Sequence, residues 1–245
     1  MCPERPGTRQ TLDELCNAYQ HDPFRWTNEL MLARFVERCV GCRTPAADYL
    51  ELGIGHGIVL GALADAFARL TVLEGSSKLV EEYRPLYPGV EFVVTLFERF
   101  EPRRRFSHIG MGFVLEHVDD PTAILRQFSR LLSEEGRMFI GVPSASSLHR
   151  LLGLHAGLIA DLRQLSPQDV AFGHKRYLTY DDWRGIVDDA GLVVVRAEGL
   201  FLAPFSTSQL ARLQLEPRVL RALVDVAAQF PQLANSLFFE IRQAA

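Results

Sequence analysis

The sequence of 245 residues predicts an α/β fold, in which a mostly parallel β-sheet is covered by helices on both faces. Three observations support this prediction. From about residue 45 onward, short apolar segments of strand length alternate with segments of helical periodicity. The first predicted strand leads directly into a glycine-rich turn and a helix. Finally, 48% of the residues are hydrophobic, which is sufficient for a large packed core.

The strands are predicted where short runs of apolar residues are bounded by glycine, proline or polar residues. They cover residues 47–52, 70–74, 90–94, 106–111, 137–142, 192–195 and 237–242. Helices are predicted where apolar residues recur three or four positions apart. They cover residues 11–19, 28–40, 58–68, 78–87, 148–165 and 208–229.

Two more helices are predicted from their capping residues. Asp120 suits the N-cap of a helix that would continue to a stop at Gly136. Thr179 and Asp182 have the spacing of a capping box, and the helix that they begin would end at Gly191. Since ligands of parallel α/β sheets bind beyond the carboxyl ends of the strands, we expect functional residues at that edge.

Composition argues against several classes of partner. The net charge is −4 and the only basic run is residues 103–105, so we expect no nucleic-acid substrate. No integral membrane segment is expected, because the longest apolar region, residues 148–165, is interrupted by charged residues and histidines. The first residues do not have the pattern of an export signal, and we therefore expect a cytoplasmic protein.

The cysteines predict no metal site. Four are present, at positions 2, 16, 39 and 42, and only Cys39 and Cys42 have the spacing of a zinc or redox pair. Zinc would need a second pair, which the sequence lacks. We expect a reduced, buried thiol near the end of a helix.

The strongest motif is the glycine-rich segment 51–57, which follows the first strand. Glycines in such a turn let the backbone approach a ligand where a Cβ atom would collide with it. A phosphate-binding Walker loop would need Gly-Lys-Ser/Thr, and a dinucleotide fingerprint would need glycine at Ile58. The second strand ends at Glu74, whose carboxylate could accept hydrogen bonds from both hydroxyls of an adenosine ribose.

Together with Leu73-Glu74-Gly75-Ser76 and residues 114–121, this segment resembles the motifs of class I S-adenosylmethionine-dependent methyltransferases. The resemblance is to the small-molecule branch that includes ubiquinone-type and secondary-metabolite enzymes, and it covers roughly residues 45–200. It implies a Rossmann-like, seven-stranded sheet with an antiparallel last strand. It also implies S-adenosylmethionine as the cofactor.

The resemblance implies a set of cofactor contacts. The glycine backbone would lie against the methionine part, Glu51 would hold its amino group and Glu74 the ribose. The adenine would contact residues 96–97, and the sulfonium side would lie near residues 111–112. The implied cofactor-binding residues are Glu51, Gly53, Ile54, Gly55, Gly57, Glu74, Gly75, Ser76, Leu96, Phe97, Met111, Gly112 and Tyr19.

The domain organisation follows from the same resemblance. We expect an N-terminal helical cap at residues 1–44, with Tyr19 and residues 24–26 as lid contacts, and a methyltransferase domain at residues 45–245. A segment at about residues 144–178 would form the acceptor side. The whole chain would be one structural domain, present as a monomer or homodimer.

Candidate catalytic residues lie in the acceptor-side segment. They are His149, His155, His174 and Tyr177, the last two within a Gly-His-Lys-Arg-Tyr stretch that resembles a motif of some small-molecule methyltransferases. Histidine changes charge near neutral pH and could act as a base where the acceptor is protonated. Glu116 and His117 are expected to orient the turn that follows them.

The apolar residues of the same segment favour an aromatic or otherwise apolar metabolite as acceptor, methylated at N, O or C. Methylation of a quinone precursor at a membrane surface is an alternative, since this helix could rest on a bilayer. A nicotinamide-dependent oxidoreductase is disfavoured by Ile58 and by the lack of a Tyr-x-x-x-Lys motif. A non-catalytic binding module on the same fold is the remaining alternative.

Overall fold

The computed structural model of the protein describes residues 12, 22–43, 47–102 and 104–244. Seven strands form one sheet, and they are β1 (Asp48–Leu52), β2 (Arg69–Glu74), β3 (Glu91–Val94), β4 (Phe106–Gly112), β5 (Leu132–Pro143), β6 (Leu192–Phe201) and β7 (Ser236–Gln243). The helices are α1 (Arg25–Gly41), α2 (Leu60–Ala66), α3 (Ser77–Tyr83), α4 (Pro121–Ser129), α5 (Leu148–His155), α6 (Pro167–Ala171), α7 (Tyr180–Asp189), α8 (Thr207–Leu213) and α9 (Pro217–Ala227).

The strand order is β3-β2-β1-β4-β5-β7-β6. Strands β1 to β5 are parallel, whereas β7 lies antiparallel between β5 and β6. The predicted fold class, with an antiparallel last strand, is therefore confirmed. The order reverses between β1 and β4, which leaves a crevice outside their carboxyl ends, where ligands of such sheets bind.

The sheet separates two hydrophobic cores. Successive side chains of a strand point to opposite faces, so Tyr49 of β1 packs in one core while Leu50 and Leu52 pack in the other. Helix α1 contributes Phe35 to the first core, and helix α4 contributes Phe128 to the second. Glu51 therefore lies on the face that α1 covers, at the edge where β1 ends.

Two predicted helices, α3 and α4, end well before the expected residue. Helix α3 ends at Tyr83, because Pro85 has no N–H to continue it, and a 3-10 turn follows at Arg84–Leu86. Helix α4 ends at Ser129, so the predicted stop at Gly136 is wrong. Residue Leu132 is already buried and paired with Phe106 of β4, and this long-range strand pairing overrides the local glycine signal.

The other two differences involve left-handed residues. Helix α5 ends at His155, and Gly157 with φ 71° turns the chain, so residues 148–165 are not one helix. The predicted helix at residues 208–229 is divided into α8 and α9, because Gln214 adopts φ 47° and Pro217 begins the second helix. Within the described part of the chain, no helix has the length and apolar character that crossing a bilayer requires.

Two of the four cysteines, Cys39 and Cys42, lie in the part of the chain that the structure describes. Cys39 is a buried free thiol near the end of α1, and Cys42 is a half-buried free thiol at the C-cap. Burial raises the pKa of the Cys39 thiol well above its usual range. Cys2 and Cys16 lie outside the described residues.

Candidate active site

A cavity of about 660 Å³ opens at the carboxyl ends of β1, β2, β4 and β5. Its floor is the turn after β1, and one wall is the segment that enters α1. The opposite wall is formed by residues near α5, α6 and the segment that follows α6. The cavity thus extends from the glycine-rich turn to the predicted acceptor side.

The glycine-rich turn is built from left-handed residues. Gly53, Gly55 and Gly57 have φ values of 81°, 53° and 69°. A Cβ atom on Gly55 would have no atom within 4 Å, and Gly55 lines the cavity, so its bare backbone leaves space open there. A Cβ atom on Gly57 would instead lie 2.2 Å from the Tyr83 ring. The two glycines therefore serve different purposes, ligand access and internal packing.

Glu74 fastens this turn to the end of β2. Its Oε2 accepts a hydrogen bond from the Ile54 N–H at 2.9 Å, and its Oε1 accepts one from the Ser76 N–H at 2.8 Å. The residue is 9% exposed and lines the cavity. A buried carboxylate is thus held in a fixed orientation beside the glycine backbone.

Glu51 is the second carboxylate at this end, and it is 2% exposed. Its side chain fits because β4 has glycine opposite it: a Cβ atom on Gly110 would lie 2.2 Å from Glu51 Oε2. Burial raises the pKa of the Glu51 carboxyl to about 8, although the Gly112 N–H and the Tyr49 hydroxyl partly oppose this shift. Among the described residues, Oε2 has no hydrogen-bond partner.

The structure brings most, but not all, of the predicted cofactor residues to the cavity. Those that line it are Glu51, Gly53, Ile54, Gly55, Glu74, Phe97 and Gly112. Gly57, Gly75, Ser76, Leu96 and Met111 are not part of the lining.

Ser76 caps α3 by accepting a hydrogen bond from the Leu79 N–H, and a Cβ atom on Gly75 would lie 2.7 Å from Leu12. Met111 is completely buried in the core on the α4 side, so a cofactor contact by its side chain is incompatible with this packing. Tyr19 lies outside the described residues.

The segment that enters α1 is tied to the glycine-rich turn. Asp22 lines the cavity, and its Oδ2 lies 3.3 Å from His56 Nε2. The same carboxylate accepts hydrogen bonds from the Phe24 N–H and the Asn28 side chain, both at 2.9 Å. Arg25 donates to the His56 carbonyl at 3.4 Å. Sequence reasoning missed Asp22, since its partner lies 34 positions away.

At the acceptor end, His149 has a defined tautomer. Its Nδ1 lies 3.0 Å from the Asn235 side-chain nitrogen, which can only donate, so the ring hydrogen of neutral His149 is on Nε2. Asn235 is itself oriented, because its Oδ1 accepts from the Ala203 N–H at 2.7 Å. Burial lowers the pKa of His149 to about 4. His149 is therefore a neutral hydrogen-bond donor, and Asn235 was not predicted.

Tyr177 lines the cavity beneath a buried arginine. The Arg150 guanidinium carbon is 4.4 Å from the centre of the Tyr177 ring, and Arg150 Nε donates to the Leu162 carbonyl at 2.9 Å. Burial raises the pKa of Tyr177, so the phenol keeps its proton at neutral pH. His155, by contrast, is exposed at the end of α5 and does not line the cavity, so the structure does not group it with the other candidates.

His174 lies in a cluster with two neighbours from the turn after β4. Its Nδ1 is 3.2 Å from Asp169 Oδ1, and its ring centre is 4.8 Å from that of His117. Glu116 is completely buried beside them, and burial raises the pKa of its carboxyl to about 7. Burial lowers the pKa of His117 to about 3. Burial also acts to lower the pKa of His174, but Asp169 and Glu116 outweigh it and the pKa is raised.

Arg176 explains how these distant segments meet. Its guanidinium donates to the carbonyls of Leu115 and Val118 at 2.8 and 2.6 Å, and to that of Asp119 at 2.8 Å. The Lys175 N–H also donates to the Glu116 carbonyl at 2.9 Å. The segment after α6 is thereby fastened to the turn after β4.

Two features of this end were not predicted. Glu116 and His117 were expected only to orient their turn, but both line the cavity. Phe113 adopts φ 59°, a strained conformation for a residue with a side chain, and its N–H donates to the Gly141 carbonyl at 2.8 Å. The Glu-His pair was a visible signal, but its partner His174 is more than 50 positions away.

Comparison with known proteins finds relatives among methyltransferases. Over 102 residues, the chain is 31% identical to a ubiquinone biosynthesis O-methyltransferase of Xanthomonas oryzae, which covers 38% of this chain and 42% of that protein. Over 178 residues it is 24% identical to a protein of Mycobacterium tuberculosis named "Probable S-adenosylmethionine-dependent methyltransferase". This match covers 72% of this chain and 58% of that protein. The matched part thus spans about half the length of these relatives.

Among solved structures, the N-methyltransferase NodS from Bradyrhizobium japonicum, in complex with S-adenosyl-L-homocysteine, superposes with a TM-score of 0.60. It shares 14% sequence identity, with 97% of this chain and 98% of that chain covered, so this likeness concerns the fold. The sequence profile of a methyltransferase domain matches residues 24–197, which include the glycine-rich turn, both carboxylates and the Glu116–His174 cluster. The chain therefore belongs to the methyltransferase domain family.

Proposed function

We propose that this protein transfers a methyl group from S-adenosylmethionine to a small, apolar or aromatic metabolite. The observation that carries the proposal is the pairing of the bare backbone at Gly53 and Gly55 with the oriented carboxylate of Glu74, at one end of a single cavity. The names of two relatives support it, since one is called S-adenosylmethionine-dependent and NodS was solved with the demethylated cofactor.

The residues present suit this cofactor. The space beside Gly55 would admit the methionine part, and the cavity wall includes Phe97 for contact with an adenine ring. Glu51 is a buried carboxyl group in the cavity wall, which suits a group that meets the ammonium of a ligand. Glu74 would accept hydrogen bonds from the ribose hydroxyls, and Ile54 would keep that carboxylate in place.

When bound, S-adenosylmethionine supplies a methyl group already activated by a sulfonium. The protein's task is therefore to align the acceptor and to exclude water. The segment that enters α1 covers the cofactor end, and its Asp22–His56 contact holds it against the glycine-rich turn. Of the predicted helical cap at residues 1–44, the described residues 22–43 contain α1, and residues 1–11 and 13–21 lie outside the described residues.

The acceptor would occupy the other end of the cavity. His149 would donate a hydrogen bond through Nε2, and Tyr177 would donate one through its hydroxyl. His174 is the candidate for a direct chemical role: an acidic oxygen faces its Nδ1, which leaves the lone pair of the neutral ring on Nε2. The acceptor atom stays open between N, O and C. The cytoplasmic location, the monomeric or dimeric state and the lack of a nucleic-acid substrate stay predictions.

The test is calorimetric titration of the purified protein with S-adenosylmethionine and S-adenosylhomocysteine, followed by a mass-spectrometric screen of a metabolite panel. We expect both ligands to bind, and a mass gain of one methyl group on an apolar or aromatic metabolite. Binding without turnover of any small molecule would favour a non-catalytic module. Absence of binding would refute the proposal.

A further inference from the structure

Glu116 presents a problem that the proposed function does not solve. Its side chain is completely buried in the cavity wall, and among the described residues neither carboxylate oxygen has a hydrogen-bond partner. Buried polar groups are almost always paired, because a carboxylate that has lost its hydration and gained no partner is costly to bury. A bound group that contacts this carboxylate would remove the cost.

The side chains around Glu116 indicate what that group is. One ligand atom each from Glu116, His117 and His174 lies within 4.8 Å of the other two. Two imidazoles and one carboxylate are a typical ligand set for divalent transition metals, whereas Mg²⁺ and Ca²⁺ prefer oxygen ligands alone. The same set leaves coordination positions open to a substrate.

Both histidine rings are oriented through their Nδ1 atoms. His174 Nδ1 lies 3.2 Å from Asp169 Oδ1, and His117 Nδ1 lies 3.3 Å from the Gly173 carbonyl oxygen. Because each Nδ1 faces an oxygen that can only accept a hydrogen, the favoured neutral form of each ring carries its hydrogen on Nδ1 and its lone pair on Nε2. Metal-binding histidines generally have such an outer oxygen partner, which fixes the tautomer and the ring orientation.

We propose that Glu116, His117 and His174 bind a divalent transition metal, with Asp169 and the Gly173 carbonyl as outer partners. In a tetrahedral site with ligand distances of about 2.0–2.1 Å, the ligand atoms are about 3.3 Å from one another. The three ligand atoms here lie within 4.8 Å of one another, so binding would require small rotations of the side chains towards the ion. The site faces the cavity. The open position suits an acceptor with a hydroxyl or carbonyl oxygen. Binding of such an acceptor rests on the proposed function, whereas metal binding does not.

The test uses the full chain, freed of metal by a chelator and titrated with Co²⁺, which reports its own coordination by visible absorption. We expect saturable binding of Co²⁺ and an absorption spectrum typical of a Co²⁺ ion with few ligands. Addition of Zn²⁺ should displace Co²⁺ and abolish this spectrum. Glu116→Gln and His174→Asn should each weaken Co²⁺ binding by more than about 100-fold, and Asp169→Asn by about 10–100-fold. His155→Asn is the matched control, because His155 is exposed outside the cavity, and it should bind Co²⁺ normally.

S-adenosylhomocysteine affinity is measured for every variant as a readout of folding and of the cofactor end. A variant that keeps this affinity while losing Co²⁺ supports the metal site. Absence of saturable Co²⁺ binding, or equal Co²⁺ affinity in Glu116→Gln, His174→Asn and the control, would overturn it. If the wild type binds Co²⁺ but not S-adenosylhomocysteine, the metal site stands and the proposed function fails.

Discussion

At the scale of single residues, the two carboxylates of the cofactor end differ in how they are held. Glu74 accepts two backbone hydrogen bonds, which fix its direction. Glu51 lies deeper and has fewer donors, and its pKa is raised to about 8 by burial. Glu74 is therefore suited to act as a fixed hydrogen-bond acceptor, whereas Glu51 is suited to lose a proton when a cation binds beside it.

Replacing Glu74 should therefore affect the cofactor and the turn together. Glu74→Ala removes the ribose acceptor and the bond from Ile54, and should weaken S-adenosylhomocysteine binding by about 1–3 kcal/mol. Glu74→Gln keeps one acceptor oxygen and should lose less. Titration calorimetry measures both, with exposed Glu134→Ala as control. Unchanged affinity in Glu74→Ala would remove Glu74 from the cofactor site.

Glu51 predicts a pH dependence of binding. Its folded-state pKa of about 8 lies above its ordinary value, so the carboxyl is mainly neutral near neutral pH. The unfolded chain releases this proton at lower pH, so the free energy of unfolding falls as the pH rises from the ordinary pKa towards about 8. A cationic ammonium beside it favours the ionised form, so cofactor binding should release a proton.

Affinity for S-adenosylhomocysteine should therefore rise with pH up to about 8 in the wild type. Glu51→Gln should bind S-adenosylhomocysteine more weakly, and its affinity should no longer show this rise with pH. Calorimetry in buffers of different ionisation enthalpy counts the released protons. An equal proton release in wild type and variant would contradict the assignment.

At the scale of elements, the sequence predicted those features that depend on residues close together in the chain. Strand β2, the turn at residues 53–57 and the capping box of α7 follow from apolar runs, glycine and capping residues, and the structure has all of them. The end of α4 could not be predicted, because the pairing of Leu132 with β4 decides it. The Glu116–His174 cluster was missed for the same reason, since long-range contacts of Arg176 bring its parts together.

The glycine-rich turn allows a test at this scale. Gly55 has φ 53° and lines the cavity, so Gly55→Val adds left-handed strain of about 1–2 kcal/mol and fills space that the methionine part would need. We expect loss of S-adenosylhomocysteine binding with a modest drop in the free energy of unfolding. Gly185→Ala, at an exposed position of α7, is the control: it should keep binding and gain about 0.5–1 kcal/mol of stability. Normal titration by Gly55→Val would show that the turn is not the cofactor site.

At the scale of the whole molecule, the α1-side core contains an ionisable ring. His108 of β4 is 4% exposed, and its ring stacks on Phe139 at 5.6 Å between centres. Its Nε2 lies 3.1 Å from the Cys42 carbonyl oxygen and its Nδ1 lies 2.9 Å from Ser107 Oγ, which together hold the ring in place. A charged ring there would have lost most of its hydration, so the fold is built around the neutral form.

The resulting prediction concerns stability against acid. Burial lowers the pKa of His108 below its ordinary value, with Arg137 acting in the same direction and the Cys42 carbonyl and Glu240 opposing it. A depressed histidine pKa means that the unfolded chain takes up the proton first. The stability that the neutral ring contributes is therefore complete above about pH 6.5 and falls as the pH drops towards the folded-state pKa, by up to about 1.4 kcal/mol per pH unit.

His108→Gln should be less stable at every pH, because stacking is lost, but its free energy of unfolding should depend less on pH below about 6.5. Urea unfolding at a series of pH values gives both quantities, and the slope is the decisive one, since a purely structural loss would shift the whole curve without changing its steepness. His155→Asn, at an exposed position, should keep the wild-type slope. Because His108 pairs with Tyr49 of β1, the strand that carries Glu51, acid that destabilises this core should also weaken cofactor binding before the chain unfolds globally.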